Sequence, residues 1–508
     1  MILPAKRYPG ENLPGVVVDD GVKGGDELGR ALTRWEYPYK KAAMTRNRMG
    51  IASLGVLIVL CVACSGSGAS KGGADSGVPG SGGVTGTLTV TYDGNGNTGG
   101  IAPADFQTYQ PGATVVVLGN TGNMVRPGYS FSGWNTLADG SGTTYMPAQT
   151  LELGTTSVIL YAQWTAISVV GYAYVANQYE NSVSQYTIAE GGALMPMTPP
   201  TVVGGDTPEA ITADPSGRYV YLANVRPTPA GKISQYVIGA TGALAPMATP
   251  SASAGTYPVS IVVDPSDKYA YVANNLSGDI SEFALGADGA LAPIGTVKSG
   301  AGYPNAPASV VVDPSGKYVY VANADGKSVS QYTIGADGAL SPMTPASVAT
   351  SGKNGNAYHM TLHPSGAYLY VAGYFDNVVF QYAVGANGAL SPLSPASVAT
   401  DTYPGAVAVD PSGKFAYVVN ANAAAAISLY TVGADGVLTP MTPATLAATT
   451  YFANVAIDFS GKYLYATSGY PGSTVSQYTI GANGTLTPMA QPTVPSGSGP
   501  NAIVTVKK

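Results

Sequence analysis

Thiols, imidazoles and charged side chains are all scarce in this sequence. Its 508 residues include two cysteines, Cys61 and Cys64, which share one apolar stretch. Everything after Cys64 lacks cysteine, which excludes disulfide scaffolds, thiolate zinc sites and cysteine nucleophiles from that part of the chain. The two histidines, His359 and His363, have no evident third ligand, so no metal is expected. The Asp-Gly turns at Asp288, Asp337 and Asp435 each offer a single carboxylate, too few for a calcium loop, and no cofactor is expected. Charged residues make up 10% of the chain and hydrophobic ones 45%, which excludes a charge-rich disordered polymer. Phenylalanine is rare (8), whereas Gly (66) and Tyr (35) abound, a balance that suits many strands joined by tight turns.

The stretch MTRNRMGIASLGVLIVLCVAC, Met44 to Cys64, opens with Arg46 and Arg48 and continues as an apolar run that ends in small residues and a cysteine. This is the layout of an export signal, too short to span a bilayer comfortably. Ending in CVAC, with Cys61 where leucine is usual, it resembles a bacterial lipoprotein signal. The resemblance implies that Cys64 is the lipidated first mature residue; an uncleaved N-terminal anchor is the other reading. Residues 1–43 show no periodicity and are expected to be a start called too early, or disordered. The expected signal is 44–63, followed by a flexible Gly/Ser tether over 64–86. Removing the nine Lys/Arg and six Asp/Glu of residues 1–63 leaves fourteen against twenty-three, a net charge of −9. A thinly charged acidic surface argues against nucleic acid and against electrostatic docking on anionic lipid. The expected localisation is the bacterial cell envelope, with membrane contact through the lipid anchor only. The expected partner is a surface protein or glycan.

From 87 to 166 short alternating strands are bounded by Gly, Asn or Pro. In LYAQW, Leu160, Ala162 and Trp164 share one face. The pattern VTYDGNG…GYSFSGWNT…ADGSG…LYAQW resembles the Listeria–Bacteroides (internalin-type B) repeat. That implies a small β-grasp-like module, used as a spacer or binding unit on bacterial surface proteins. Core packing is the expected role of Trp134 and Trp164, with exposed ligand stacking as the alternative.

Over 167–508 one motif recurs. DPSGKYVYVAN at Asp313 has near-copies at Asp214, Asp264, His363, Asp410 and Asp458, at spacings of 50, 49, 50, 47 and 48. Such a period signals a propeller or solenoid. Each unit reads as an apolar strand, a DPSG type I turn, a strand apolar on both faces, a strand of the SVSQYTI kind, a GADG hairpin and a Pro-bearing edge strand. Four antiparallel strands per unit make a propeller blade, which cannot bury both faces without neighbours. The third-strand signal occurs seven times, at Val183, Ile233, Ile280, Val329, Val379, Ile427 and Val475. The first unit lacks an innermost strand, and the C-terminal PNAIVTVKK matches one, so Asn501–Val506 is expected to complete blade one and close a ring. The repeat resembles the YVTN-type propellers and, more broadly, the lactonase (6-phosphogluconolactonase-like) seven-bladed family. The Trp-Asp and double-Gly signatures of WD40 and kelch repeats are missing.

The expected fold is therefore mainly β: a seven-bladed propeller behind a small β-grasp-like domain. DPSG and GADG turns should share one face, while the other face carries variable loops and the channel mouth, the candidate binding surface. The mouth should be lined by residues just after the Pro of each inner strand, among them Glu209, Tyr358, His359, Asn454 and Asn501. The lactonase resemblance implies Pro-Arg-His at this place; here His359 alone matches. Glu209 and His359 are the candidate acid/base pair, three blades apart, with solvated channel residues as the alternative. Arg226, in the longest loop, is a candidate for an anionic ligand, and Tyr179, Tyr374, Phe375 and Tyr470 for an aromatic patch. His363 is expected to cap its turn. The expected function is a lipid-anchored, non-catalytic binding or adhesion scaffold. Its alternatives are a lactonase-type hydrolase at the channel mouth and a purely structural envelope protein.

Overall fold

The computed structural model describes residues 87–508, apart from 127, 227–229, 301–305, 422–425 and 449. The expected signal, the lipidation site Cys64 and the tether lie outside the described residues. Every regular element described is a strand.

Six strands build the N-terminal module: β1 (Val90–Asp93), β2 (Thr114–Val116), β3 (Tyr129–Asn135), β4 (Thr144–Tyr145), β5 (Thr150–Glu152) and β6 (Val158–Ala166). One sheet has the order β1-β6-β3-β4, with β1 and β6 parallel; β2 and β5 form a separate ribbon. Its core is aromatic. Trp134 is fully buried, donates its indole N–H to the Leu118 carbonyl at 2.8 Å and meets Tyr92 edge-on at 4.7 Å. Trp164 donates to the Gly94 carbonyl at 3.0 Å, and Phe131 packs edge-on against both indoles. Both tryptophans are core anchors, each with its polar N–H satisfied.

The rest of the described chain forms seven four-stranded antiparallel sheets. Six blades run in chain order from the innermost strand outward, their inner strands being Pro208–Ala213, Pro258–Val263, Pro307–Val312, Ala357–Leu362, Pro404–Val409 and Asn454–Ile457 (blades 2 to 7). Blade 1 takes its inner strand from the chain end: Pro500–Lys507 pairs with Val169–Asn177, placing Val504 opposite Tyr174 and Ile503 opposite Val175. Each inner strand touches the next, and the last touches Pro500–Lys507, so the ring closes. Closure gives every blade a neighbour on both faces and leaves only short, protected inner edges.

The repeated letters are an inter-blade code. The second strand is buried on both faces, and its second Tyr donates to a Gly carbonyl in the next blade's GADG-type turn at 2.6–2.9 Å. The pairs are Tyr174–Gly242, Tyr221–Gly289, Tyr271–Gly338, Tyr320–Gly388, Tyr370–Gly436, Tyr417–Gly484 and, across the closure, Tyr465–Gly192. Burial pushes these hydroxyls well above the usual tyrosine range, so they stay protonated donors. The Gln of the third strand also reaches forward. Gln331 accepts the Leu390 N–H at 2.6 Å and donates to the Pro345 carbonyl of its own blade at 2.9 Å. Glu282 substitutes for it in blade 3, accepting from Leu340 at 3.0 Å.

Each DPSG turn is held by its buried Asp. Asp313 accepts from the Lys317 and Tyr318 amides at 2.8 and 2.7 Å through one oxygen and from the Ser315 amide at 3.0 Å through the other. His363 replaces the Asp in blade 5. Its Nδ1 accepts the Ser365 N–H at 3.1 Å, while Nε2 lies 2.9 Å from the Gly413 carbonyl in blade 6. A carbonyl only accepts, so Nε2 carries the proton and the imidazole both caps its turn and ties two blades. On this face shallow grooves of about 350 Å³ open between blades, lined by repeated turn residues such as Ser315, Lys317 and Tyr318. They are seams of the ring rather than a distinctive site.

Candidate active site

The opposite face differs from blade to blade, and its local geometry explains how. Six inner strands begin with a bulge, where one residue is left out of the pairing register: Asn501, Glu209, Val259, Ala308, Tyr358 and Gly405 in blades 1 to 6. A bulge re-aims a side chain, and here it does so at the rim of the channel. Blade 7 pairs Asn454 directly with Thr467. The residue before the inner-strand Pro is left-handed in blades 1, 2, 3, 4 and 6: Gly499, Thr207, Tyr257, Ala306 and Tyr403, with φ between 46° and 65°. Each turns its carbonyl to accept an amide from the neighbouring loop, from Gln178, Val225, Asn275, Ala324 and Ala421 in that order. Bulky side chains avoid this region, so Tyr257 and Tyr403 are held at some cost, a mark of functional positions.

Polar groups gather on the side of blades 1 to 3. Glu209 is buried, 5% exposed, and accepts a short hydrogen bond from Gln178 Nε2. Asn501 Nδ2 donates to the Glu209 backbone carbonyl at 2.9 Å, linking the two bulges across the closure. The Tyr257 hydroxyl is raised above its usual range, mainly by burial. The Glu209 carboxylate adds to the rise and the Arg226 guanidinium opposes it. Both charges therefore act on one phenol. Tyr179 also acts on Tyr257, and its ring lies 4.5 Å from that of Tyr470; both are exposed. This side of the mouth thus brings the Glu209 carboxylate together with the Gln178 and Asn501 amides, with the half-buried Tyr257 phenol and the exposed Arg226 as electrostatic neighbours. The rim lacks the arginine of a Pro-Arg-His triplet, and Arg226 stands exposed on a loop of blade 2.

His359 stands three blades from Glu209, on blade 5. Burial pushes its imidazole down to about 4, so it is neutral near pH 7. Nδ1 accepts the Val407 N–H of blade 6 at 3.3 Å, which leaves the proton on Nε2. Ser260 and Ser309 do the same in blades 3 and 4, accepting from Val310 and Met360 at 3.1 and 3.2 Å. His359 is therefore the largest of three staples between inner strands. The geometry gives no pairing of His359 with Glu209 as acid and base.

The remaining candidates separate. Asn454 turns its Oδ1 onto the Val455 amide at 2.8 Å. Tyr374 is 5% exposed, the base of a second aromatic group in which Tyr358, Phe375 and Tyr403 surround it at 5.1–5.3 Å. The aromatic candidates thus form two groups, Tyr179–Tyr470 at blades 1 and 7 and the Tyr374 group at blades 5 and 6. Gln178, Tyr257 and Tyr403 escaped the sequence reading. The signal for the last two was the tripeptide TYP, present before the inner strands of blades 3 and 6.

Comparison with known proteins agrees with this architecture. The family described as lactonase, 7-bladed beta-propeller, matches residues 225–497, more than half of the chain, and the Listeria-Bacteroides repeat domain matches 89–163. A protein of Evansella cellulosilytica provisionally named a Gly-rich membrane protein is 38% identical over 104 residues, 20% of this chain and 12% of that protein. A second protein of that organism, provisionally named a membrane protein, is 31% identical over 115 residues, 22% of this chain and 17% of its own length. The chain thus spans under a fifth of these curated relatives. Among solved structures, a Bacteroides fragilis protein provisionally called a 6-phosphogluconolactonase superposes with a TM-score of 0.58 at 20% identity, over 67% of this chain and 99% of that one. The periplasmic gluconolactonase of Pseudomonas aeruginosa gives 0.57 at 18% identity, over 66% and 99%. At these identities the likeness establishes the fold.

Proposed function

Since this chain belongs to the lactonase family of seven-bladed β-propellers, we propose that it hydrolyses a small lactone at the channel mouth, on the side of blades 1 to 3. The observation that carries this reading is the buried Glu209 carboxylate at the bulge of its inner strand, held by Gln178 Nε2 and linked through its backbone carbonyl to Asn501. Opening a lactone needs a base for water and a donor or cation for the developing oxyanion. Glu209 takes the proton from water as the water oxygen bonds to the lactone carbonyl carbon. Arg226 and the Tyr257 O–H supply the cation and the donor for the charge that develops on the carbonyl oxygen. The ring C–O bond then breaks, and the proton held on Glu209 passes to the leaving oxygen, giving a hydroxy acid. His359, neutral and across the ring, takes no part in the proton transfer. The family match supports this reading over the non-catalytic scaffold expected from the variable face.

The test is hydrolysis of glucono-δ-lactone above the uncatalysed background. Glu209→Gln keeps the size of the side chain and its hydrogen-bonding capacity but removes the base, so turnover should fall by about 100-fold or more. Equal rates for wild type and Glu209→Gln, or no turnover of any sugar lactone, would sink the proposal.

We also assign the protein to the bacterial cell envelope, on the strength of the repeat module and of relatives named as membrane proteins. Lipidation at Cys64 belongs to the same proposal. Mass spectrometry of the mature N-terminus should find a diacylated or triacylated Cys64, and an unmodified chain starting at Met1 would refute it.

A further inference from the structure

One level below the rim, the free edges of the inner strands differ between the two sides of the channel. In blades 3, 4 and 5 the third residue of the inner strand, Ser260, Ser309 or His359, accepts the amide of the fourth residue of the next inner strand. Blade 6 has Ala406 at the third place, and there Asn454 covers the next amide, that of Val455, with its own Oδ1 at 2.8 Å. Blades 1 and 2 also have alanine there, Ala502 and Ala210, and no side chain makes up for the missing oxygen. Among the described residues no acceptor is bonded to the amides beyond them, those of Ile211 and Ile261. The direction of these amides follows from the strand. Asp214 and Asp264 donate their N–H groups into the second strand, to the Tyr219 and Tyr269 carbonyls at 3.1 and 2.9 Å. Successive amides point to opposite edges, so Ile211 and Ile261, three residues earlier, point into the channel. Both isoleucines are buried, 9% and 6% exposed, and a backbone N–H in such a place needs an acceptor.

We propose that the Ile211 and Ile261 amides donate to oxygen atoms of the lactone and hold its carbonyl edge beneath Glu209. The inference rests on lactone hydrolysis at this mouth and adds fixed donors to it. Glu209 is two residues before Ile211 on the same strand, so base and donor lie about 7 Å apart along it. In blades 3 and 4 one serine oxygen bridges to the next inner strand at 3.1 and 3.2 Å. The same place beside Ala210 or Ala502 therefore matches one acceptor oxygen. Backbone donors in a nearly dry edge stabilise a developing oxyanion without reorganising. A carboxylate at the rim above two neutral donors favours an uncharged, oxygen-rich ring over a permanent anion.

The test titrates the full chain, carrying isotope-labelled isoleucine, with glucono-δ-lactam, a neutral and hydrolytically stable carbonyl analogue. The Ile211 and Ile261 amide resonances should move together to saturation, while those of Ile233 and Ile280, in third strands, stay in place. Ala210→Ser should cover the Ile261 amide as Ser260 covers that of Val310, and Ala502→Ser should cover that of Ile211. Each should weaken lactam binding, and lower turnover of glucono-δ-lactone, by about tenfold or more, with thermal unfolding unchanged or raised. Ala406→Ser, where the next amide is already covered, should behave like wild type. Turnover lost in Glu209→Gln but kept in both serine variants would overturn this inference and leave the base standing. Turnover lost in the serine variants but kept in Glu209→Gln would uphold the amides and overturn the base. A lactam that does not bind, one that binds without moving Ile211 and Ile261, or tighter binding of gluconate would each overturn the proposal.

Discussion

At the scale of single residues, the chain uses a few polar side chains in buried places, and their protonation follows from where they sit. His359 is the clearest case. Its imidazole is held down to about 4 by burial, against an unfolded value near 6.5. A group whose folded pKa is depressed contributes stability that is complete above the unfolded value and is lost as pH falls toward the folded one. Stability should therefore drop between about pH 6.5 and 4, by ~1–3 kcal/mol once its channel-side exposure is discounted. In His359→Gln, whose amide oxygen can still accept from Val407, that part of the pH dependence should vanish. Urea midpoints at pH 7 and pH 4.5 compare the two proteins; parallel losses would contradict the assignment. The sequence marked His359 because it alone matches the Pro-Arg-His pattern of the lactonase resemblance. It could not show that Nδ1 is occupied, because the Val407 amide lies 48 residues away.

At the scale of strands, the legible part of each blade was its apolar alternation, and the hidden part was its polar half. The letters SVSQYTI predict a strand, yet nothing local says that Gln331 serves a neighbouring blade 59 residues on. Blade 6 supplies a natural contrast. Leu429 occupies the Gln position there and carries no acceptor for Leu486 of the next blade. Gln331→Leu should cost about 2–3 kcal/mol, because it strips partners from a buried N–H and from a carbonyl. Leu429→Gln should be neutral or slightly stabilising. Equilibrium urea unfolding checks both, and a harmless Gln331→Leu would remove the inter-blade role. The turn residues were readable for the opposite reason: Asp313 bonds within five residues of itself, so DPSG carries its own explanation.

At the scale of the whole molecule, periodicity made the fold legible, whereas the site was mostly not. A repeat near fifty residues with seven third strands implies a ring, and the spare strand at the chain end implies how it closes. Glu209 lies in the first bulge of an inner strand and Arg226 and Tyr257 lie in loops of blades 2 and 3, and their placement depends on a bulge and a left-handed residue that no propensity reveals. Tyr257 is left-handed although tyrosine is no turn residue; the local demand is a carbonyl for Asn275, not a sequence preference. The Asn501–Glu209 link at the mouth requires the C-terminal strand to lie beside the first blade. Thr505 and Ala173 are directly paired there, and the chain after Cys64 contains no other thiol. The double variant Ala173→Cys, Thr505→Cys, oxidised and mapped by proteolysis and mass spectrometry, should yield a disulfide joining those two peptides in monomeric protein. Two thiols that remain free to alkylation after oxidation would mean that the ring is not closed by this strand.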